Sequence, residues 1–173
     1  VNDGAADHLG GAEMPPVTLQ ATTGGSVDLA AAAADTLVLY CYPRTGKPGE
    51  PLPAGWDAFP GARGCTPQAC GFRDRSEEIA RHGARVHGLS GQCLAQQREF
   101  ANRVGLGYPL LSDPEFELAA ALTLPTFELD GSRYYRRLTL IARGGTIAKV
   151  FYPVFPPDRN ATEVEAWLAA NPE

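Results

Sequence analysis

The chain has 173 residues, a net charge of −5 and four cysteines: enough for one domain with a sizeable core, with no basic footprint for nucleic acid or an anionic membrane surface. No apolar run approaches the roughly 18 residues that a membrane span needs, and the acidic start Val1-Asn2-Asp3-Gly4 lacks signal-peptide character, which points to the cytoplasm. Four cysteines are too few for a disulfide scaffold, and Cys65, Cys70 and the scattered His8, His82 and His87 lack the spacing of a zinc site, so neither metal nor cofactor is expected.

Residues 1–14, rich in Gly, Ala and Asp, read as a loose tail ahead of one domain over 15–173. Val17–Gln20 and Ser26–Leu29 flank Thr22-Thr23-Gly24-Gly25, the pattern of a short hairpin. Leu37–Tyr42 is a continuous apolar run, suited to a central strand covered on both faces, and Pro43 ends it. The stretch 44–64 has no periodicity. Loops of this length inside a domain are functional or disordered, and Trp56 and Phe59 argue against disorder. Two readings stay open: an ordered lid beside Cys65, or a surface insertion held by its aromatics.

The sequence then reaches Arg63-Gly64-Cys65-Thr66-Pro67-Gln68-Ala69-Cys70-Gly71-Phe72-Arg73-Asp74. Pro67 suits a first helical position with Thr66 as N-cap, which sets Cys65 beside unpartnered N–H dipoles that favour a thiolate. Ala69, Phe72, Ile79 and Ala80 form the apolar stripe, whereas Cys70 falls with Arg73, Asp74 and Glu77 on the polar side. Five residues of intact helix separate two Cα atoms by roughly 8–9 Å, and a disulfide needs less than about 7 Å. Cys65 and Cys70 can therefore join only if the first turn unwinds.

Arg81, His82 and Gly83 close that helix. Arg85–Leu89 reads as a strand carrying His87, and Ser90–Val104 as a helix with Cys93 near its start. Tyr108–Leu111 is a short strand. Asp113-Pro114 is an N-cap followed by a first-turn proline, and Leu124–Glu128 is extended. Leu138–Ala142 and Ile147–Phe151 flank Gly144-Gly145, a hairpin signal. Asn160 with Glu163 has the spacing of a capping box before a helix with Val164, Trp167 and Leu168 inward. Strands alternating with helices give an α/β layered sheet.

The segment Gly64–Asp74 closely resembles the active-site segment of peroxiredoxins of the bacterioferritin-comigratory-protein (peroxiredoxin Q) type. Leu37-Val38-Leu39-Tyr40-Cys41-Tyr42-Pro43, Leu110-Leu111-Ser112-Asp113 and Arg137-Leu138-Thr139-Leu140-Ile141 agree in order, and the likeness runs from Val17 to Leu168. The resemblance implies a thioredoxin-like fold with a central mixed sheet, and a thiol peroxidase that reduces hydrogen peroxide and organic hydroperoxides without metal, haem or flavin. It implies Cys65 as the peroxidatic residue, Cys70 as the resolving one, and Arg137 as the cation beside the sulfur, with Arg136 its neighbour on the opposite face. It also implies thioredoxin or a similar dithiol as reductant, acting on a monomer or weak dimer.

The chain departs from the family pattern Pro-x-x-x-Thr/Ser-x-x-Cys. Pro43 lies 22 positions before Cys65, and Ala62 occupies the usual hydroxyl position. Thr45 and Thr66 are the candidates to supply that hydroxyl. Two alternatives accompany this reading: resolution by Cys93 or an external thiol, and a redox-sensing or binding module without efficient turnover.

Overall fold

Six successive buried residues, Thr36–Cys41, form the strand around which the layers assemble. The computed structural model describes residues 2–172. In chain order the elements are β1 (Thr18–Ala21), β2 (Ser26–Asp28), α1 (Leu29–Ala32), β3 (Thr36–Cys41), α2 (Cys65–Arg81), β4 (Ala84–Ser90), α3 (Leu94–Val104), β5 (Leu110–Ser112), α4 (Glu117–Leu122), β6 (Thr126–Leu129), β7 (Ser132–Tyr135), β8 (Leu138–Arg143), β9 (Thr146–Phe151) and α5 (Asn160–Ala170). A 3-10 turn, Pro157–Arg159, precedes α5. Strands run β2-β1-β5-β4-β3-β8-β9 in one mixed sheet, and β6-β7 forms a separate hairpin. β3 pairs parallel to β4 and antiparallel to β8, so Leu39 stands between His87 and Leu140.

Alternation along β3 divides the core. Val38 and Tyr40 face Ala69, Phe72 and Ile79 of α2, Phe100 of α3, and Val164 and Leu168 of α5. Leu37, Leu39 and Cys41 face Leu29, Leu118, Leu122 and the N-terminal residues Leu9 and Met14. The stretch expected to be a loose tail is therefore packed. Leu9 is fully buried, and Gly11 and Met14 donate backbone hydrogen bonds to Ile147 and Gly145. Three apolar side chains spread over nine residues leave no periodicity to read, yet each finds a core position.

Several element boundaries differ from expectation for local reasons. α2 begins at Cys65, with Gly64 rather than Thr66 in the capping position. Gly64 has φ 106°, and a Cβ there would lie 2.6 Å from Pro157 Cγ, so the turn is left-handed and packed against the chain ahead of α5. Pro67 is accommodated two residues later, where its missing N–H is still harmless. β4 continues to Ser90, paired with Ser112, which moves the start of α3 to Leu94. Asp113 does cap α4, but across a turn: its carboxylate accepts from the N–H groups of Glu117 at 2.8 Å and Leu118 at 3.1 Å. Asn160 forms no capping box. It lies inside α5, 1% exposed, and its side chain turns to Gln68 and Thr139. Leu124–Glu128 resolves into β6, which pairs with β7 across Asp130-Gly131, both at positive φ, as a two-residue hairpin turn requires.

Candidate active site

The left-handed Gly64 delivers Cys65 to the first position of α2. The first intrahelical bond runs from Gln68 N–H to the Gly64 carbonyl. The N–H groups of Cys65 and Thr66 consequently have no helical partner and sit beside the sulfur. Cys65 is 5% exposed. It opens onto a cavity of about 270 Å³ whose wall includes Arg44, Thr45, Leu52, Trp56 and Thr66.

Arg137 enters from the residue before β8. Its Nη2 donates to Cys65 Sγ at 3.2 Å and also reaches the carbonyls of Gly61, Ala62 and Arg63 at 3.0–3.3 Å. Nη1 donates to Gln68 Oε1 at 2.6 Å. Gln68 in turn donates through Nε2 to Asn160 Oδ1 at 3.1 Å, and Thr139 Oγ1 donates to the same oxygen at 2.6 Å. Gln68, Asn160 and Thr139 are all essentially buried. A chain of buried polar groups thus fixes the guanidinium from behind while its front meets the sulfur. Such a cation is held without reorganisation where charge develops on sulfur or on a leaving oxygen.

Arg136 diverges from its neighbour as expected. Its guanidinium lies 5.6 Å from the Phe59 ring centre and 5.7 Å from that of Phe127. Those rings belong to a cluster that seats the 44–64 stretch. Phe59 stacks on Phe127 at 4.3 Å, and Trp56, only 4% exposed, meets Tyr134 edge-on at 5.1 Å. Ala54 N–H adds a bond to Asp130. The stretch is therefore an ordered wall, docked on the β6-β7 hairpin and open to Cys65.

Thr45 is buried in that wall. Gln92 clamps it, accepting from Thr45 N–H at 3.1 Å and from its hydroxyl at 3.4 Å, and donating to its carbonyl at 3.2 Å. Pro43, by contrast, lines an adjoining cavity rather than the one at Cys65. Cys70 is half-buried, one and a half turns along the intact helix, and among the described residues all four cysteines are free thiols. Tyr108 donates its hydroxyl to the Ala69 carbonyl at 2.8 Å, pinning this part of α2. Cys93 is exposed at the start of α3. Cys41 is buried beside Asp113, and burial drives its thiol pKa far up, which makes it inert. Sequence reading missed Gln68, Asn160 and Thr139 as supports of Arg137. Only the proximity of Gln68 to Cys65 in the motif hinted at the first.

The Redoxin family profile matches residues 9–168. The chain belongs to the Redoxin family. Among its relatives, the chloroplastic peroxiredoxin Q of Arabidopsis thaliana is 30% identical over 160 residues, covering 92% of this chain and 67% of that protein. The chloroplastic peroxiredoxin Q of Gentiana triflora is 29% identical, and the match covers 91% of this chain but 65% of that longer protein. The structure of peroxidoxin BcpB from Mycobacterium tuberculosis superposes with TM-score 0.77 at 28% identity, covering 96% of this chain and all of that one. The expected peroxiredoxin Q likeness and thioredoxin-like fold are thereby borne out. Among the described residues, no helix is long and apolar enough to cross a membrane.

Proposed function

We propose that this Redoxin-family member is a thiol-specific peroxidase in which Cys65 reduces hydrogen peroxide and organic hydroperoxides. The observation that carries the reading is the guanidinium of Arg137 at 3.2 Å from a sulfur that opens a helix and faces a cavity. The Cys65 thiolate attacks the terminal peroxide oxygen. The S–O bond forms as the O–O bond breaks, the departing alkoxide or hydroxide takes a proton from solvent, and the cysteine becomes a sulfenic acid. Arg137 meets the negative charge as it passes to the leaving oxygen. Thr45, held by Gln92 in the wall of the Cys65 cavity, is the candidate for the substrate-binding hydroxyl, whereas Pro43, the proline of the family pattern and a candidate site residue on that ground, lines the adjoining cavity instead.

Cys70 then condenses with the sulfenic acid. Its sulfur displaces hydroxide, water leaves, and the Cys65–Cys70 disulfide remains. In the intact helix these residues are about 8–9 Å apart, so the first turns of α2 open for this step. Thioredoxin or a similar dithiol protein reduces the disulfide by exchange and is itself oxidised.

The test is thiol titration before and after one equivalent of hydrogen peroxide, with peptide mapping of the product. Two thiols disappear together in the wild type, in one peptide cross-linking Cys65 and Cys70, and none is lost in Cys65→Ser. A cross-link to Cys93 instead would reassign resolution. Unchanged peroxide consumption by Cys65→Ser would end the peroxidase reading, and oxidation without turnover in the presence of a thioredoxin system would favour a sensor.

A further inference from the structure

In the family pattern the hydroxyl and the cysteine share one tight loop, so a single local turn aligns both. Here 20 positions separate Thr45 from Cys65, and Gly46 follows Thr45 directly. No local turn can aim this hydroxyl at the sulfur. The hold comes from elsewhere in the chain, from Gln92, two residues beyond the end of β4. Its amide has only one possible orientation. Oε1 lies 3.1 Å from the Thr45 N–H, which can only donate, and Nε2 lies 3.2 Å from the Thr45 carbonyl, which can only accept. Exchanging the two amide atoms would break both bonds. With Oε1 so placed, the Thr45 hydroxyl at 3.4 Å is the donor. Its proton is committed to Gln92, and the lone pairs of its oxygen are left to accept.

Gln92 is itself fixed by the ends of two paired strands. Its N–H donates to Ser90 Oγ at 3.3 Å, and its carbonyl accepts from the Ser112 hydroxyl at 2.6 Å. Ser90 and Ser112 are register partners at the ends of β4 and β5, and Gln97 Nε2 ties Ser90 Oγ at 3.0 Å to the Leu111 carbonyl at 2.7 Å. Thr45, Gln92, Ser90, Gln97 and Ser112 are all buried. Gln92 lines the neighbouring cavities, whereas Thr45 lines the one at Cys65. Resting on the peroxidase reading and on the assignment of Thr45 above, we propose that Gln92 is a positioning residue for the peroxide site. It sets the Thr45 oxygen to accept from the O–H of the terminal peroxide oxygen, the atom that Cys65 attacks. The sheet end thereby does what the tight loop does in the family pattern. Gln92 acts wholly through residue 45.

The test reads the rate constant for hydrogen peroxide by stopped flow in three backgrounds: wild type, Thr45→Ser and Thr45→Val. Thr45→Val lowers it by about 10- to 100-fold, and Thr45→Ser keeps most of it. Gln92→Ala costs about tenfold or more wherever residue 45 carries a hydroxyl, in the wild type and in Thr45→Ser alike. In Thr45→Val the same change costs less than about twofold, because the group that Gln92 aims is gone. Amide exchange at Thr45 quickens about tenfold or more in Gln92→Ala. Equal losses in all three backgrounds would make Gln92 a purely structural residue and overturn the proposal. A wild-type rate or unchanged Thr45 exchange in Gln92→Ala overturns it as well. A wild-type rate in Thr45→Val instead fails the Thr45 assignment, returns the hydroxyl to Thr66 and removes this role of Gln92 with it. Unchanged peroxide consumption in Cys65→Ser fails the peroxidase reading, on which both rest.

Discussion

At the scale of single residues, Gln68 is the support on which the active guanidinium depends most directly. It spans the gap between Arg137 and Asn160 with bonds of 2.6 and 3.1 Å. A hydrogen bond to a charged group contributes about 1.5–3 kcal/mol. Gln68→Ala is accordingly expected to lower kcat/KM for hydrogen peroxide by roughly 10- to 100-fold, with the fold retained by circular dichroism. Gln68→Glu keeps the acceptor but loses the donor to Asn160 and sets a buried negative charge against Arg137, so it too is expected to fall below the wild type. Equal rates in Gln68→Ala and the wild type would mean that the three loop carbonyls hold Arg137 unaided. Gly64 is a second sensitive residue. Gly64→Ala meets both the left-handed backbone and the 2.6 Å approach to Pro157. A loss of about 1–3 kcal/mol in urea unfolding is expected, together with slower peroxide reduction as the helix start shifts. The residues around Cys65 were only partly legible in the sequence. The cysteine pair and Arg137 stand in a recognisable motif, but Gln68, Thr139 and Asn160 are polar side chains made functional by burial, and burial of an isolated polar residue has no periodic signature.

At the scale of elements, the proposed mechanism asks α2 to serve two geometries. Closed, it carries Cys65 beside Arg137, and Tyr108 holds its Ala69 carbonyl. Open, on that proposal, it lets Cys65 meet Cys70. Tyr108→Phe removes a bond made in the closed form, where such a bond contributes about 0.5–1.5 kcal/mol. Disulfide formation after the sulfenic acid is then expected to speed up by roughly 2- to 10-fold in stopped-flow fluorescence, and overoxidation at high peroxide to fall. A slower or unchanged resolving step would show that opening occurs elsewhere. Amide exchange across 65–71 should likewise be faster in the oxidised protein than in the reduced one. The sequence disclosed that α2 exists and where it stops, since Arg81, His82 and Gly83 end it as read. Its start was misplaced because the preference of proline for the first helical position is a local rule. The actual boundary is set by Gly64 against Pro157, a contact between residues far apart in the chain. β7 was overlooked because Ser132-Arg133-Tyr134-Tyr135 lacks an apolar alternation, although Asp130-Gly131 is a strong turn signal.

At the scale of the molecule, the sheet is finished by the segment that composition alone marks as expendable. Residues 11–14 bond to the start of β9, while Leu9 and Met14 fill the core face opposite α2. Leu9→Ala is expected to cost about 2–5 kcal/mol, the range for deleting a buried leucine side chain, and removal of residues 1–14 to cost at least as much. Denaturant melts measure both, and an unchanged midpoint in the truncation would restore the view of a dispensable tail. The central strands were legible because buried parallel and antiparallel neighbours demand mostly apolar runs such as Leu37–Tyr42 and, broken only by Thr139, Leu138–Ala142. What joins the layers at their ends was not, because Ala6, Leu9 and Met14 are buried by partners distant in the chain.

Arg136 and Arg137 are consecutive, yet one lies against the rings that anchor the long wall and the other against the reacting sulfur. One peptide bond therefore links the seating of that wall to the reacting centre. Phe59→Ala is accordingly expected to disturb the Arg137–Cys65 contact, and unchanged peroxide kinetics in that variant would show the two arginines to be independent.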